Sequence, residues 1–143
     1  MDTATAESVA WRPPHGADTD ARVSKRILIV DDEPALRRLL GDLFTSEGYR
    51  VTEASNGAQA LECVQELCPD VVILDLMMPV MSGWTFLEER ARLDGCPDLP
   101  IVAMSAMFDL GRATSSLRAF GVRECVTKPF DADALLSLVA KLA

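Results

Sequence analysis

Short aliphatic runs that each end in a polar residue constrain this sequence more than any other feature. The runs are rich in β-branched side chains and are separated by segments long enough to form a helix. This pattern is typical of parallel strands that are buried on both faces and joined by helical crossovers. It is clearest at 27–30 before Asp31 and Asp32, 71–74 before Asp75, 101–104 before Ser105, and 125–127 before Lys128 and Pro129. The sequence therefore predicts an α/β fold with a parallel sheet.

The polar residues that end these runs are expected to meet at one edge of the sheet. In an open α/β sheet, ligands bind outside the carboxyl ends of the strands. Clustered carboxylates repel one another unless a cation neutralises them, and Mg²⁺ accepts one or two carboxylates while keeping waters that a phosphate can displace. Three aspartates, a serine and a lysine at one edge therefore indicate a magnesium-assisted phosphoryl-transfer site with an aspartate nucleophile.

Five strand–helix units are predicted from Lys25 onwards. Strands are predicted at 27–30, 49–54, 71–74, 101–104 and 124–127, with the second strand near an edge of the sheet. Pro34 suits the first turn of the first helix, Asn56 and Gly57 turn into the second, and Asp131 caps the last. The third and fourth helices are predicted over 83–93 and 110–120. Poor helix formers in the fourth predict that it is the most mobile.

Apolar stripes at helical spacing mark the faces that the helices are expected to turn inward. The stripe of the first helix comprises Leu36, Leu39, Leu40, Leu43 and Phe44, and that of the second comprises Ala60, Leu61, Val64 and Leu67. Right-handed crossovers between parallel strands place helices on both faces of the sheet. The predicted architecture is a doubly wound (βα)5 domain.

Four segments resemble the receiver domain of bacterial two-component response regulators. They are ILIVDDEPALRRLL, VVILDLMMPVMSGW, IVAMSA and CVTKPFD, and the resemblance covers about residues 25–143. It implies the flavodoxin-like strand order 2-1-3-4-5, with the site at the switch point beside strands one and three.

The resemblance also implies a role for each residue at the predicted site. Asp75 would be the phosphoacceptor, and Asp32 and Asp75 would bind Mg²⁺ directly together with the backbone carbonyl of Met77. Asp31 would reach the metal through a water molecule. Lys128 would contact a phosphoryl oxygen.

Two further residues take their roles from the resemblance. The hydroxyl of Ser105 would donate to a phosphoryl oxygen and draw the loop after strand four towards the site. Pro129, beside the site, would follow Lys128 through a cis peptide bond.

The sequence departs from the family at Cys125, where receivers usually carry a tyrosine or phenylalanine ring. Without a ring that can swing inward, we expect weaker or differently routed coupling from Ser105 to the last helix.

Met77 and Met107 flank the site at positions that influence hydrolysis of the acyl phosphate in the family. Neither side chain can orient an attacking water, so we expect slow spontaneous loss of the phosphoryl group.

Charge and the ends of the chain limit the possible partners. The net charge of −8 over 143 residues argues against binding to nucleic acid or to an anionic membrane. No run is long enough to span a bilayer, and the N-terminus lacks the apolar core of a signal peptide, so a cytoplasmic protein is expected. Residues 1–24 are polar and without apolar periodicity, which predicts a disordered or loosely attached tail, followed by the receiver-like domain at 25–143.

The four cysteines are Cys63, Cys68, Cys96 and Cys125, and no two of them have CxxC spacing. The single histidine lies in the tail, which disfavours a zinc site. We therefore expect four reduced cysteines that pack as small hydrophobic side chains.

A stand-alone receiver is the function that these features favour, because no output domain follows the last helix. Such a protein accepts a phosphoryl group from a histidine kinase or phosphotransfer protein and performs no catalysis beyond its own magnesium-dependent phosphorylation and slow dephosphorylation. Its output surface would be formed by helix four, strand five and helix five, including Arg112, Arg118 and Arg123. It would be a monomer, or a dimer formed on phosphorylation.

Other functions fit the residues less well. A phosphorylation-independent interaction module of receiver shape agrees with Cys125 but leaves the acidic trio without a purpose. A phosphatase of the haloacid dehalogenase type needs a second aspartate two residues after the nucleophile, where this chain has Met77. A flavodoxin needs a phosphate-binding loop of Ser, Thr and Gly after strand one, where this chain has Asp31 and Asp32.

Overall fold

A computed structural model describes residues 25–78, 81–93, 95–96, 98–105 and 116–143. The predicted tail at 1–24, Met107, Arg112 and most of the predicted fourth helix lie outside this range. None of the helices in the described residues is long and apolar enough to cross a membrane.

The sheet has five parallel strands in the order β2-β1-β3-β4-β5. The strands are β1 (Arg26–Val30), β2 (Arg50–Ala54), β3 (Val71–Asp75), β4 (Ile101–Ser105) and β5 (Val122–Thr127). The predicted α/β class, strand order and edge position of β2 are confirmed.

Helices connect these strands, as the apolar periodicity predicts. They are α1 (Pro34–Ser46), α2 (Gly57–Glu66), α3 (Gly83–Ala91), a helical turn at 116–119 that we call α4, and α5 (Ala132–Leu142). The side chains of Asn56, Ser82 and Asp131 each accept a backbone N–H at the start of α2, α3 and α5, which satisfies donors that the helix leaves unpaired.

The core lies on both faces of the sheet because successive side chains of a strand point to opposite faces. In β1, Ile27 and Ile29 join one buried cluster, whereas Leu28 and Val30 join the other. The cluster that contains Ile27 also contains residues of α1 and α5, and the opposite cluster contains residues of α2 and α3. Strands buried in this way have no polar face, which explains their continuous aliphatic runs.

Two leucines of the predicted apolar stripes do not face the core. Leu39 is 61% exposed, because α1 buries the face that carries Leu40 and Phe44. Leu67 is 54% exposed, because it lies beyond the last turn of α2 in an extended conformation, where helical periodicity no longer applies. The predicted inward orientation is therefore wrong at both positions.

Some element boundaries also differ from the prediction. Strand β5 begins at Val122 rather than Glu124, because an irregularity in the β4–β5 ladder inserts Arg123 between two paired residues. Helix α3 ends at Ala91, two residues before the predicted end at Leu93.

The expectation of four reduced cysteines is wrong for one pair. Cys68 and Cys96 form a disulfide with their Cα atoms 5.8 Å apart, whereas Cys63 and Cys125 are free. Helices α2 and α3 pack against each other, which brings together the segments that follow them. The two cysteines are 28 residues apart in sequence, so only the packing of these helices reveals the pair.

Candidate functional site

The predicted site residues meet at the carboxyl end of the sheet. Asp31 directly follows β1, Asp75 and Ser105 are the last residues of β3 and β4, and Lys128 directly follows β5. Hydrogen bonding between neighbouring parallel strands aligns these ends, so residues distant in sequence become neighbours in space.

Three carboxylates form the acidic part of the site. One carboxylate oxygen from each of Asp31, Asp32 and Asp75 lies within 4.8 Å of the others. Asp31 and Asp75 are buried, whereas Asp32 is exposed. Three negative charges at this separation repel one another strongly where water is excluded, so the arrangement favours a cation.

Lys128 supplies a positive charge between the two buried carboxylates. Its Nζ donates to Asp31 Oδ2 at 3.0 Å and to Asp75 Oδ2 at 3.3 Å. Burial alone would lower the pKa of the Lys128 ammonium, because it disfavours the charged form. The hydrogen bonds and negative charges of Asp31 and, to a smaller extent, of Asp75 outweigh this effect, so the pKa is raised. The Lys128 ammonium is therefore shared between Asp31 and Asp75.

Backbone amides hold the remaining oxygens of the buried carboxylates. The amide of Glu33 donates to Asp31 Oδ1 at 2.9 Å, and the amide of Met77 donates to Asp75 Oδ1 at 3.0 Å. Burial raises the pKa of Asp75, and the negative charge of Asp31 adds to this rise. The hydrogen bond from the Met77 amide and the contact with Lys128 lower the pKa but do not cancel the rise. The net upward shift means that the buried Asp75 carboxylate gains from a nearby cation.

Ser105 and the peptide bond of Lys128 complete this edge. Ser105 is buried, and its backbone carbonyl accepts the amide of Lys128 at 2.9 Å, which fixes β4 and β5 relative to each other at the site. The peptide bond between Lys128 and Pro129 is cis.

The sequence analysis also singled out Met77, Met107 and Cys125, and their surroundings differ. Met77 is 57% exposed beside Asp75. Cys125 is half-buried against the core cluster of α2 and α3, and burial, followed by the charge of Glu124, raises the pKa of its thiol. Met107 lies outside the described residues.

Two supporting residues were missed by the sequence analysis. Arg37 donates to the backbone carbonyl of Asp31 at 2.7 Å and to Glu53 at 3.2 Å, which ties the start of α1 to β2. Gly83 packs so closely on β3 that an added Cβ would lie 2.5 Å from the Asp75 carbonyl oxygen and 2.7 Å from Leu76 Cα. A glycine at the first position of a helix carries no sequence signal for such a close approach.

Comparison with known proteins decides the family. A sequence model of the response regulator receiver domain matches residues 27–140. The chain belongs to the response regulator receiver family. This receiver is 35% identical over 122 residues to the chemotaxis protein CheY of Thermotoga maritima, covering 85% of this chain and 99% of the relative. It is 38% identical over 120 residues to CheY of Bacillus subtilis, covering 83% of this chain and 98% of the relative.

Solved structures agree with this assignment. The response regulator TrrA from Thermotoga maritima, in complex with Mg²⁺ and BeF, matches with a TM-score of 0.71 and 37% identity, covering 83% of this chain and 99% of that one. Membership places this receiver in two-component signalling, where CheY-like domains act as signalling proteins rather than as classical enzymes.

Proposed function

We propose that this receiver accepts a phosphoryl group on Asp75 from a histidine kinase or a phosphotransfer protein. The arrangement of Asp75 carries the proposal. Its carboxylate is buried at the carboxyl end of the sheet, 3.3 Å from the Lys128 ammonium and beside two further aspartates. The phosphorylated form then signals through altered binding to another protein.

The donor set fits Mg²⁺, which prefers oxygen ligands and few carboxylates. In this proposal Asp32 and Asp75 hold the ion directly with the backbone carbonyl of Met77, and Asp31 holds it through water. When bound, the ion supplies positive charge that offsets the repulsion between Asp75 and an incoming phosphoryl group.

Asp75 acts as the nucleophile. One of its carboxylate oxygens forms a bond to phosphorus while the bond from phosphorus to the donor nitrogen of a phosphohistidine breaks. The product is an acyl phosphate on Asp75. An ionised carboxylate has no proton to lose, so the transfer needs position and charge rather than a general base.

Lys128 and Ser105 act on the transferred group. The Lys128 ammonium already contacts the Asp75 carboxylate, so the same ammonium can reach an oxygen of the phosphoryl group attached there. The hydroxyl of Ser105, at the end of the neighbouring strand β4, donates to another phosphoryl oxygen. Both contacts strengthen as negative charge spreads over the phosphoryl oxygens.

The output surface in this proposal is the face formed by α4, β5 and α5. Arg118 and Arg123 are exposed there, and Arg112 lies outside the described residues. In this proposal the receiver acts in the cytoplasm, which its similarity to the two CheY proteins supports. The receiver would be a monomer or would dimerise when phosphorylated.

Intact-mass spectrometry after incubation with acetyl phosphate tests the proposal. We expect one phosphoryl adduct that requires Mg²⁺ and is absent in Asp75→Asn. Asp42→Asn is the matched control, because Asp42 is an exposed aspartate on α1 outside the site. This variant should carry the adduct as the unaltered protein does.

Absence of an adduct, in a protein that still binds Mg²⁺, would instead favour a phosphorylation-independent interaction module. The half-buried Cys125 on β5 is the observation that favours this second function. The search would then turn to partners that bind the unmodified protein.

A further inference from the structure

The disulfide between Cys68 and Cys96 lies at the end of the sheet opposite to the aspartates. Cys68 follows α2 and precedes β3, and Cys96 lies between α3 and β4. Asp75 is at the far end of β3, which is five residues long, roughly 16 Å at the usual rise per residue. The proposed phosphoryl transfer therefore gives these cysteines no role.

Cys68 differs from the other three cysteines in its access to solvent. Cys68 is exposed and Cys96 is half-buried, so small thiols and disulfides can reach the bond. Burial raises the pKa of the half-buried Cys63 thiol, and the charges of Glu66 and Glu62 raise it further, so its reactive thiolate is scarce. The thiol of Cys125 has a raised pKa for similar reasons.

The backbone around Cys96 is held by contacts that do not involve the disulfide. Cys96 adopts a left-handed conformation with φ of 54°, and its carbonyl accepts a hydrogen bond from the guanidinium of Arg90, a buried residue of α3. Its Sγ also lies 3.9 Å from the carbonyl oxygen of Val64 in α2. The Arg90 hydrogen bond therefore anchors the Cys96 backbone to α3 without the disulfide, and Sγ lies beside α2.

We propose that Cys68 and Cys96 form a reversible oxidation site that fastens the end of α2 to the segment between α3 and β4. The Cα separation of 5.8 Å lies within the range that a disulfide spans without backbone movement. An exposed disulfide is open to exchange with small thiols, which distinguishes it from a buried structural bond.

A small-molecule disulfide, RSSR, is the oxidant. The Cys68 thiolate attacks one sulfur of RSSR, which forms a mixed disulfide and releases one RS⁻. The Cys96 thiolate then attacks the Cys68 sulfur and releases the second RS⁻. Two thiol protons and two electrons leave the protein, and RSSR is reduced to two thiols.

The bond closes a loop that includes all of α3 and β3, so oxidation restricts the unfolded chain and stabilises the domain. For a separation of 28 residues we expect the reduced protein to melt roughly 10–15 °C below the oxidised protein. The same shift is expected in Cys63→Ser, the matched control in α2. In Cys68→Ser, reductant should leave the melting temperature unchanged.

Thiol counting after treatment with glutathione disulfide tests the site directly. In the treated protein, unfolded without reductant, iodoacetamide should label two cysteines, Cys63 and Cys125, and all four should be labelled after reduction. In Cys96→Ser, the mixed disulfide should accumulate on Cys68, because the second thiol is missing. Labelling of four cysteines in the treated protein, or equal melting temperatures with and without reductant, would overturn the proposal.

Discussion

At the scale of single residues, Lys128 decides how two buried carboxylates can lie side by side. Its ammonium contacts Asp31 at 3.0 Å and Asp75 at 3.3 Å, and its own pKa is raised by these contacts despite burial. Removal of one partner from a buried ion pair leaves uncompensated charge, which costs more than the pair itself contributes.

Lys128→Gln should lower the free energy of unfolding by about 1–3 kcal/mol at neutral pH, in denaturant titrations without Mg²⁺. The pKa of Lys128 is higher in the folded state than the ordinary value of 10.5. The charge of Lys128 therefore contributes fully to the free energy of unfolding below pH 10.5, and this contribution is lost as the pH rises through the folded pKa. The difference between the two proteins should therefore be constant near neutrality and shrink above about pH 10.5. Lys141→Gln, at an exposed position near the end of α5, should change stability by less than about 0.5 kcal/mol. Equal loss in the two variants would contradict this account of Lys128.

Met77 carries a second prediction at the residue scale. Its apolar side chain is 57% exposed beside Asp75 and offers no group that could orient an attacking water. We expect the phosphorylated protein to persist for minutes or longer once acetyl phosphate is removed. In Met77→Asn the loss should be faster, because an amide can hydrogen-bond to the water. A phosphorylated form that decays within seconds, and decays more slowly in Met77→Asn, would show the opposite role. Intact mass followed over time gives both rates.

At the scale of elements, the close contact between α3 and β3 fixes the backbone of Asp75. Gly83 begins α3, its amide donates to the carbonyl of Leu76 at 3.2 Å, and its Cα packs on the Asp75–Leu76 peptide. The three nearest atoms that an added Cβ would meet at Gly83 all belong to the backbone, so rotation of a side chain cannot relieve the overlap.

Gly83→Ala should therefore displace the end of β3, with a loss of about 1–3 kcal/mol in the free energy of unfolding. The extent of phosphorylation by acetyl phosphate should also fall. Gly95→Ala is the control, because an added Cβ there meets nothing within 4 Å. Unchanged stability and phosphorylation in Gly83→Ala would show that α3 can shift without moving Asp75.

Features of helices and strands that depend on local sequence were predicted correctly, whereas features that depend on packing were not. Continuous aliphatic runs reveal buried strands, and Asp131 reveals a helix start, because these signals are local. The exposure of Leu67 depends on where α2 ends, and the Cys68–Cys96 bond depends on how α2 packs against α3. Neither of these features is encoded at a fixed spacing, so periodicity and motif spacing could not reveal them.

At the scale of the whole molecule, the strand order brings the site together from four separate strand ends. Parallel pairing of β1, β3, β4 and β5 places Asp31, Asp75, Ser105 and Lys128 at one edge of the sheet. The residue types at the strand ends predicted this convergence, because parallel strands share one direction. The sharing of Lys128 between Asp31 and Asp75 became visible only with side-chain positions.

Binding of Mg²⁺ should stabilise the entire domain, because a ligand that binds only the folded state shifts the unfolding equilibrium. At a free Mg²⁺ concentration about ten times Kd, we expect a gain of about 1.4 kcal/mol in the free energy of unfolding. Asp32→Asn should lose most of this gain, whereas Asp42→Asn, on the exposed face of α1, should keep it. An undiminished gain in Asp32→Asn would exclude Asp32 as a ligand. Denaturant titrations with Mg²⁺ or with a chelator provide the measurement.

Chemical trapping with borohydride identifies which of the three clustered aspartates receives the phosphoryl group. Borohydride reduces an acyl phosphate to an alcohol and thereby converts a phosphorylated aspartate into homoserine. After treatment with acetyl phosphate, Mg²⁺ and borohydride, peptide mass spectrometry should find homoserine at position 75, with Asp31 and Asp32 unaltered. Homoserine at position 31 or 32, or no conversion at any of the three, would contradict the assignment of Asp75 as the phosphoacceptor.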